Sequence, residues 1–233
     1  MNFKKLYSGE HLKQINPHWT FDKWSYRHTF INKMKWIINH IEMLPKETKI
    51  LDAGCGQGLL VQYFKEKGYN ITGVDTFYGN EHVKKENILH TNFPENNFDL
   101  ILCLDVIEHF PLLEQESLIK ELTRLCKPKG KIVWSIPNMA HLTSRFFFMF
   151  LGKPMRTAKW QYHPGDRAIK EYYSMLSQHT KIINKQGLGA TIPIFYQLTQ
   201  LYPHKTGWLY QLLKPLQIFT NWCFNVIIVC EKE

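Results

Sequence analysis

Apolar residues follow two rhythms along this chain. Phe30, Met34, Ile37, Ile38 and Ile41 recur at helical spacing across residues 30–44, and Pro45 stops the helix they predict. From Lys49 the pattern changes to a short continuous run, Ile50-Leu51, which gives way to Gly54, Gly56 and Gly58 at alternate positions. A second helical stripe, Leu59, Leu60, Tyr63 and Phe64, then ends near Gly68. Strand, tight turn and helix are expected here, and residues 69–75 supply the next strand, ending on Asp75. Residues 77–97 are polar apart from Ile88 and Leu89, where a brief third strand is expected. The buried-strand run that starts at Phe98 ends in Asp105, Glu108 and His109. Pro111 opens a helix whose Leu118, Ile119, Leu122 and Leu125 face a sheet, Lys127-Pro128-Lys129-Gly130 turns the chain, and residues 131–136 form the next strand before Pro137-Asn138.

The second half is harder to read. Phe146, Phe147, Phe148 and Phe150 are too apolar to be expected on the surface and read as core. Residues 153–167 combine Trp160, Tyr162, His163, Asp166 and Arg167 with Pro154, Pro164 and Gly165, the composition of a loop carrying polar function on an aromatic frame. Residues 172–183 are expected to be helical, and Ala190-Thr191-Ile192 a sixth strand. Residues 196–220 form an amphipathic helical insert, packed on its own domain or touching a membrane or partner chain. Residues 221–230 supply the last strand. The alternation of strands and helices predicts an α/β fold: a Rossmann-like, mostly parallel sheet with helices on both faces.

The glycines define the first candidate site. Glycine reaches positive φ and leaves no Cβ between backbone and ligand, so the turn at Gly54, Gly56 and Gly58 can bring bare N–H groups and a helix N-terminus against a small polar molecule. Asp75 follows about 20 residues later, the spacing at which a βαβ unit holds an acid over a ribose. The polar cluster after Leu104 falls where a parallel sheet opens its ligand crevice.

These blocks together resemble the class I S-adenosylmethionine-dependent methyltransferases, in particular the small-molecule subgroup that includes the ubiquinone O-methyltransferases. Residues 51–58, Gly73-Val74-Asp75, Phe98-Asp99-Leu100-Ile101 with Glu108-His109, and Lys127-Pro128 through Ile136-Pro137-Asn138 stand in that family's order, over roughly residues 49–138. The resemblance implies a seven-stranded sheet with an antiparallel last strand and S-adenosyl-L-methionine as cofactor. It assigns Asp52 and the turn of Gly54, Cys55, Gly56 and Gly58 to the methionine moiety and Asp75 to the ribose. Asn87-Ile88 is assigned to the adenine, with Asn92 as competitor, and Leu104-Asp105 to the crevice wall. By residue type His109 and His163 are the candidate bases, because a neutral imidazole titrates near working pH, with a structural hydrogen-bonding role for His109 and a plain loop role for His163 as the alternatives. Asp166-Arg167 stands where some relatives have Asp-His, so no histidine base carries over to Arg167. No metal is expected. The implied layout is a single domain over residues 1–233, with a helical arm at 1–48, a donor-binding core at 49–138 and a substrate-side half at 139–233. The arm either covers the pocket or docks on the sheet.

Composition adds limits. With 44% hydrophobic and 21% charged residues the chain matches a globular domain rather than a disordered chain or a membrane bundle. Five cysteines without a CxxC pair suit a reducing compartment, and no signal-like apolar stretch follows Met1, so a cytoplasmic setting is expected, with peripheral membrane contact through 196–220 left open. The net charge of +9 admits RNA methylation as the alternative activity. Against that, Ile136-Pro137-Asn138 is not the Asn-Pro-Pro-aromatic motif of enzymes acting on exocyclic base nitrogens, and a small-molecule acceptor is expected instead. A nicotinamide oxidoreductase would share the glycine turn but not the block from Phe98 to His109. A non-catalytic, membrane-docked binding protein is the remaining alternative. Oligomeric state is not legible.

Overall fold

Strand residues in this chain send alternate side chains to two apolar layers, and that division builds the molecule. In β4 (Phe98–Leu104), Ile101 and Cys103 join one buried cluster while Leu100 and Leu102 join the other. In β5 (Cys126–Pro137), Ile132, Trp134 and Ile136 alternate with Val133, and in β7 (Cys223–Glu231) Val226, Ile228 and Cys230 alternate with Ile227 and Val229. A strand buried on both faces needs a helical layer on each side. The first is supplied by α1 (Arg27–Glu42) and α2 (Leu59–Glu66), the second by α3 (Gln115–Leu125) and α5 (Ile169–Ser177).

The computed structural model describes residues 3–7, 9, 13, 18–155 and 161–233. Its seven strands lie in the order β3-β2-β1-β4-β5-β7-β6, with β1 at Ile50–Ala53, β2 at Ile71–Asp75, β3 at Val83–Lys85 and β6 at Lys181–Ala190. All neighbours are parallel except β7, which runs antiparallel to both β5 and β6. The chain winds outward from β1 to β3, then returns to place β4 on the other side of β1. A crevice therefore opens at the carboxyl ends of β1 and β4.

Three expectations need correction. The third strand is Val83–Lys85, not the Ile88-Leu89 patch. As an edge strand paired only with β2, it needs one buried side chain, Val83, and leaves Lys84 and Lys85 in solvent. The helix expected over 172–183 ends at Ser177, and the sixth strand starts at Lys181, ending before Thr191-Ile192. That strand is an edge as well, with Lys181, Asn184 and Lys185 exposed, so its polar positions dilute the strand signal. The phenylalanine run is not core: it forms α4 (Leu142–Leu151), where Phe146, Phe148 and Phe150 are exposed. The insert resolves into α6 (Phe195–Leu201), α7 (Gly207–Leu212) and two single 3₁₀ turns. It packs Tyr196, Leu209, Tyr210 and Leu213 inward while Leu198, Leu201, Trp208 and Leu212 face out. Trp160 lies outside the described residues.

Candidate active site

The glycine turn forms because nothing else fits it. Gly54, Gly56 and Gly58 all have positive φ, at 76°, 55° and 76°. A Cβ on Gly54 would sit 2.5 Å from a Val106 methyl, whereas one on Gly56 would meet nothing within 4 Å among the described residues. The turn is held from behind by Asp75: the Gly56 N–H donates to its Oδ2 at 2.9 Å, and Phe77 and Tyr78 donate to its Oδ1 at 2.8 and 3.1 Å. One carboxylate thus fixes the end of β2 to the turn after β1.

In front of the turn lies a cavity of about 590 Å³, within the range of small-molecule sites. Asp52, Gly54, Cys55, Gly56, Leu104, Asp105, His109 and His163 all line it. Four expected site residues stand elsewhere. Gly58 packs toward Val83, Asp75 lies behind Gly56, Ile88 is in the core, and the Asn87 side chain accepts from Leu89 N in a turn. The N-terminal arm and α1 form the opposite wall with Tyr7, Trp24, Tyr26, Phe30 and Lys33, the first two rings being stacked at 4.5 Å.

The electrostatics of this cavity are unusual. Asp52 is 4% exposed, and its carboxyl is pushed up to about 7, mainly by burial and next by the charge of Asp75, with Lys33 pulling the other way. Asp105 has a left-handed φ of 55° and sits in a closed network. Lys33 and Ser135 donate to its carboxylate, as do Asn225 at 2.9 Å and Tyr26 at 3.1 Å. Burial pushes this carboxyl up, but the Lys33 charge and the donated hydrogen bonds outweigh it and the net direction is down. Asp105 is thus a fixed anion that ties α1, β4, β5 and β7 together.

Glu108, on the 3₁₀ turn Ile107–His109, is 1% exposed, and its Oε2 has no hydrogen-bond partner among the described residues. Burial and the Asp105 charge push its carboxyl well up. Its neighbour His109 is exposed and lines the cavity. The protein packed around it and the charge of His163 lower its pKa, so the imidazole is neutral at pH 7. The His109 and His163 rings meet edge to face, with centroids 4.7 Å apart.

Several residues here escaped the reading of the sequence. Lys33 had a visible signal, a cation within the apolar stripe of α1 between Phe30 and Ile37, and so had Asn225, a lone amide in an apolar strand. Trp24 and Tyr26 belong to the arm expected either to cover the pocket or to dock on the sheet, whereas Tyr7 had no signal beyond its aromatic character.

A doubly wound sheet with a glycine-lined crevice at the switch point defines the nucleoside-binding class of α/β proteins. A family model described as a methyltransferase domain matches residues 25–188. The chain belongs to that family, the class I S-adenosylmethionine-dependent methyltransferases, whose cofactor is S-adenosyl-L-methionine. The ubiquinone biosynthesis O-methyltransferase of Stutzerimonas stutzeri is 29% identical over 122 residues, 46% of this chain and 50% of that protein. The protein of the same name from Rickettsia typhi is 33% identical over 121 residues, 46% of this chain and 47% of that protein. The chain thus spans about half the length of these curated relatives. A solved structure from Pyrococcus horikoshii shares the fold, with a TM-score of 0.61 at 14% identity over 96% of this chain and 99% of that one.

Proposed function

We propose that this chain transfers a methyl group from S-adenosyl-L-methionine to an oxygen of a small, largely apolar biosynthetic intermediate, quinone-like in character and presented at a lipid surface. The observation that carries this reading is that one cavity joins a bare glycine cradle to a cluster of Glu108, His109 and His163, under an aromatic wall. When bound, the donor supplies a methyl already activated on a sulfonium, so the protein has to orient an acceptor and manage one proton. Gly54 and Gly56 leave room for close approach, and Asp52, once ionised, pairs with the donor's positive charge. Asp75 holds the turn in shape and has acceptor capacity left for ribose hydroxyls. Tyr7, Trp24, Tyr196 and Phe224 offer flat apolar surface for the acceptor, whose oxygen is directed at the end where Glu108, His109 and His163 stand. The whole of 1–233 acts as one unit, with 139–233 as its substrate side.

The lipid surface is argued from charge and exposure. Residues 122–165 and 172–230 contain no Asp or Glu, so the exposed Phe148, Met149, Phe150 and Leu151 of α4 and the exposed Leu201, Trp208 and Ile218 of the insert have only cations among them. Thr191 brings these segments to one corner: its hydroxyl accepts from Thr143 N at 3.2 Å and donates to Trp222 O at 2.8 Å. Met155, Tyr196 and Gln200 from the same segments line the cavity. An anionic bilayer is the matching partner. Among the described residues no helix is long and apolar enough to cross a membrane.

The test supplies isotope-labelled donor with ortho-dihydroxylated aromatic acceptors carrying alkyl tails and follows the product by mass spectrometry. Label on an acceptor oxygen is expected, and calorimetry should show donor binding that weakens more than tenfold in Asp75→Asn. Donor binding that survives this change intact, or no binding at all, would sink the reading.

A further inference from the structure

Beside the main cavity lies a chamber of about 20 Å³, room for one water-sized group. It sits between the start of α1, the end of β6 and the helical insert, and its polar lining is Ser25, His28, Thr29, Thr199, Gln200 and Tyr210. Ser25, Thr29, Tyr196 and Gln200 line the main cavity as well, so the two spaces adjoin at these side chains. Three features mark the chamber as a built site. First, its chemistry is polar but uncharged. None of the described residues lining it is Asp, Glu, Lys or Arg. Its one imidazole, His28, donates from Nε2 to the Pro203 carbonyl oxygen and is neutral at pH 7, because burial lowers its pKa. Second, a hydrogen-bonding group in the wall is unspent. Tyr210 is 7% exposed, and its hydroxyl makes no hydrogen bond of ordinary geometry among the described residues, although Thr29, Gly189 and Gln217 surround it. A buried hydroxyl in that state costs free energy that an oxygen of a ligand would recover. Third, the backbone leaves the Thr29 hydroxyl clear. Gly189 has a φ of 65°, and a Cβ on it would lie 2.8 Å from Thr29 Oγ1.

We propose that this chamber is a second recognition point for the methyl acceptor and takes a neutral hydrogen-bonding substituent, a hydroxyl or carbonyl oxygen, on the part of the molecule that is not methylated. That the ligand is the acceptor rests on the methyl-transfer reading, whereas the preference for a neutral oxygen rests on the chamber alone. Tyr210 donates to the substituent, and Ser25, Thr29 and Gln200 offer its remaining partners. A carboxylate or a phosphate is disfavoured, because no cation lines the chamber to offset its charge. An acceptor with hydrogen at that place is disfavoured too, since it leaves the Tyr210 hydroxyl unpaired, and a site built around a hydroxyl discriminates far more sharply than an apolar pocket does. The helical insert thereby reads the substitution pattern of the acceptor from the chamber, while Glu108, His109 and His163 stand on the wall of the main cavity.

The experiment uses the full chain with S-adenosyl-L-homocysteine, the demethylated donor, so that acceptor binding is read without turnover. Three probes are titrated by calorimetry: an alkyl-tailed catechol, the same catechol with one further ring hydroxyl outside the diol, and the same catechol with a carboxylate in that hydroxyl's place. The hydroxylated probe is expected to bind about tenfold or more tightly than either of the others, and Tyr210→Phe and Gln200→Leu are each expected to cut that preference to about threefold or less. Circular dichroism and thermal melts establish that both variants are folded. Tyr210→Phe removes a single unpartnered oxygen and should keep its Tm, whereas a fall of several degrees shows that the hydroxyl is already satisfied and overturns the subsite. Equal affinity for the three probes, binding of none, or a preference that survives in either variant also overturns it, and a resident water is then the occupant of the chamber. If S-adenosyl-L-homocysteine fails to bind while the probe preference and its residue dependence hold, the methyl-transfer reading falls and the subsite stands. If it binds and the preference is missing, the reading stands and the subsite falls.

Discussion

Asp52 and Lys33 show how single residues set the behaviour of this cavity. Asp52 holds its proton up to about pH 7 in the donor-free chain, whereas binding a sulfonium favours its ionised form. Donor affinity is therefore expected to rise between about pH 6 and about pH 8, and binding near pH 7 to release protons, seen as a buffer-dependent heat in calorimetry. Affinity that stays flat over that range would contradict the assignment. The same shift has a stability sign. The folded chain retains a proton that the unfolded chain has lost, so the contribution of Asp52 to stability is full below the ordinary carboxylate range and is lost as pH rises through 7. Asp52→Asn is accordingly expected to raise Tm by a few degrees at pH 8, with little change at pH 4, while weakening the donor. Lys33 has the opposite character. At 4% exposure, it offsets the charge of Asp105 from inside an apolar helix face, and removing it leaves a largely buried anion. Lys33→Ala should cost about 2–3 kcal/mol in denaturant unfolding, toward the low end for a broken buried pair because the Asp105 side chain keeps 26% exposure. Lys33→Met combined with Asp105→Asn should recover most of that loss.

At the scale of elements, the turn between β1 and α2 separates packing from binding. Gly54→Ala forces a methyl against Val106 in a left-handed backbone, so destabilisation of about 2–3 kcal/mol is expected together with loss of the donor. Gly56→Ala meets no neighbour among the described residues. It should cost only about 1 kcal/mol of backbone strain yet abolish donor binding, because its methyl enters the cradle. Thermal melts with and without donor distinguish the two, and retained donor binding in Gly56→Ala would place the cofactor elsewhere. The strands teach a related lesson. Central β1, β4, β5 and β7 read clearly as apolar runs because both of their faces are covered. Edge strands β3 and β6 were misplaced in the sequence because an edge buries few side chains and presents lysines and amides to water. Helix α4 was misread for the converse reason: four phenylalanines in five positions look like core, and only the tertiary structure shows Phe146, Phe148 and Phe150 exposed among the described residues.

Over the whole molecule, charge and apolar exposure are segregated. Of the acidic residues beyond Glu121, only Asp166, Glu171, Glu231 and Glu233 remain, so the half that carries α4 and the insert is strongly cationic. Binding to vesicles containing anionic lipid is therefore expected, weaker on zwitterionic vesicles and reduced by salt over the range where the Debye length shortens from ~10 to ~3 Å. Phe148→Ser with Phe150→Ser should reduce it several-fold with an unchanged Tm, since both rings are exposed. Co-sedimentation is the measurement, and equal binding to both vesicle types would argue against a charge-matched surface.

The order of strands and helices, the glycine turn, the acid after the second strand and the family itself were readable from the amino acids, because each block is local and the blocks follow one another in order along the chain. What the chain could not announce are the groups drawn together from far apart. Lys33 meets Asp105 across 72 positions, Asn225 meets it across 120, and His109 lies against the loop of Tyr162 across 53. Local sequence sets backbone conformation and the face a side chain takes, whereas a closed ion network or a ligand cluster exists only once the sheet has put its strand ends side by side.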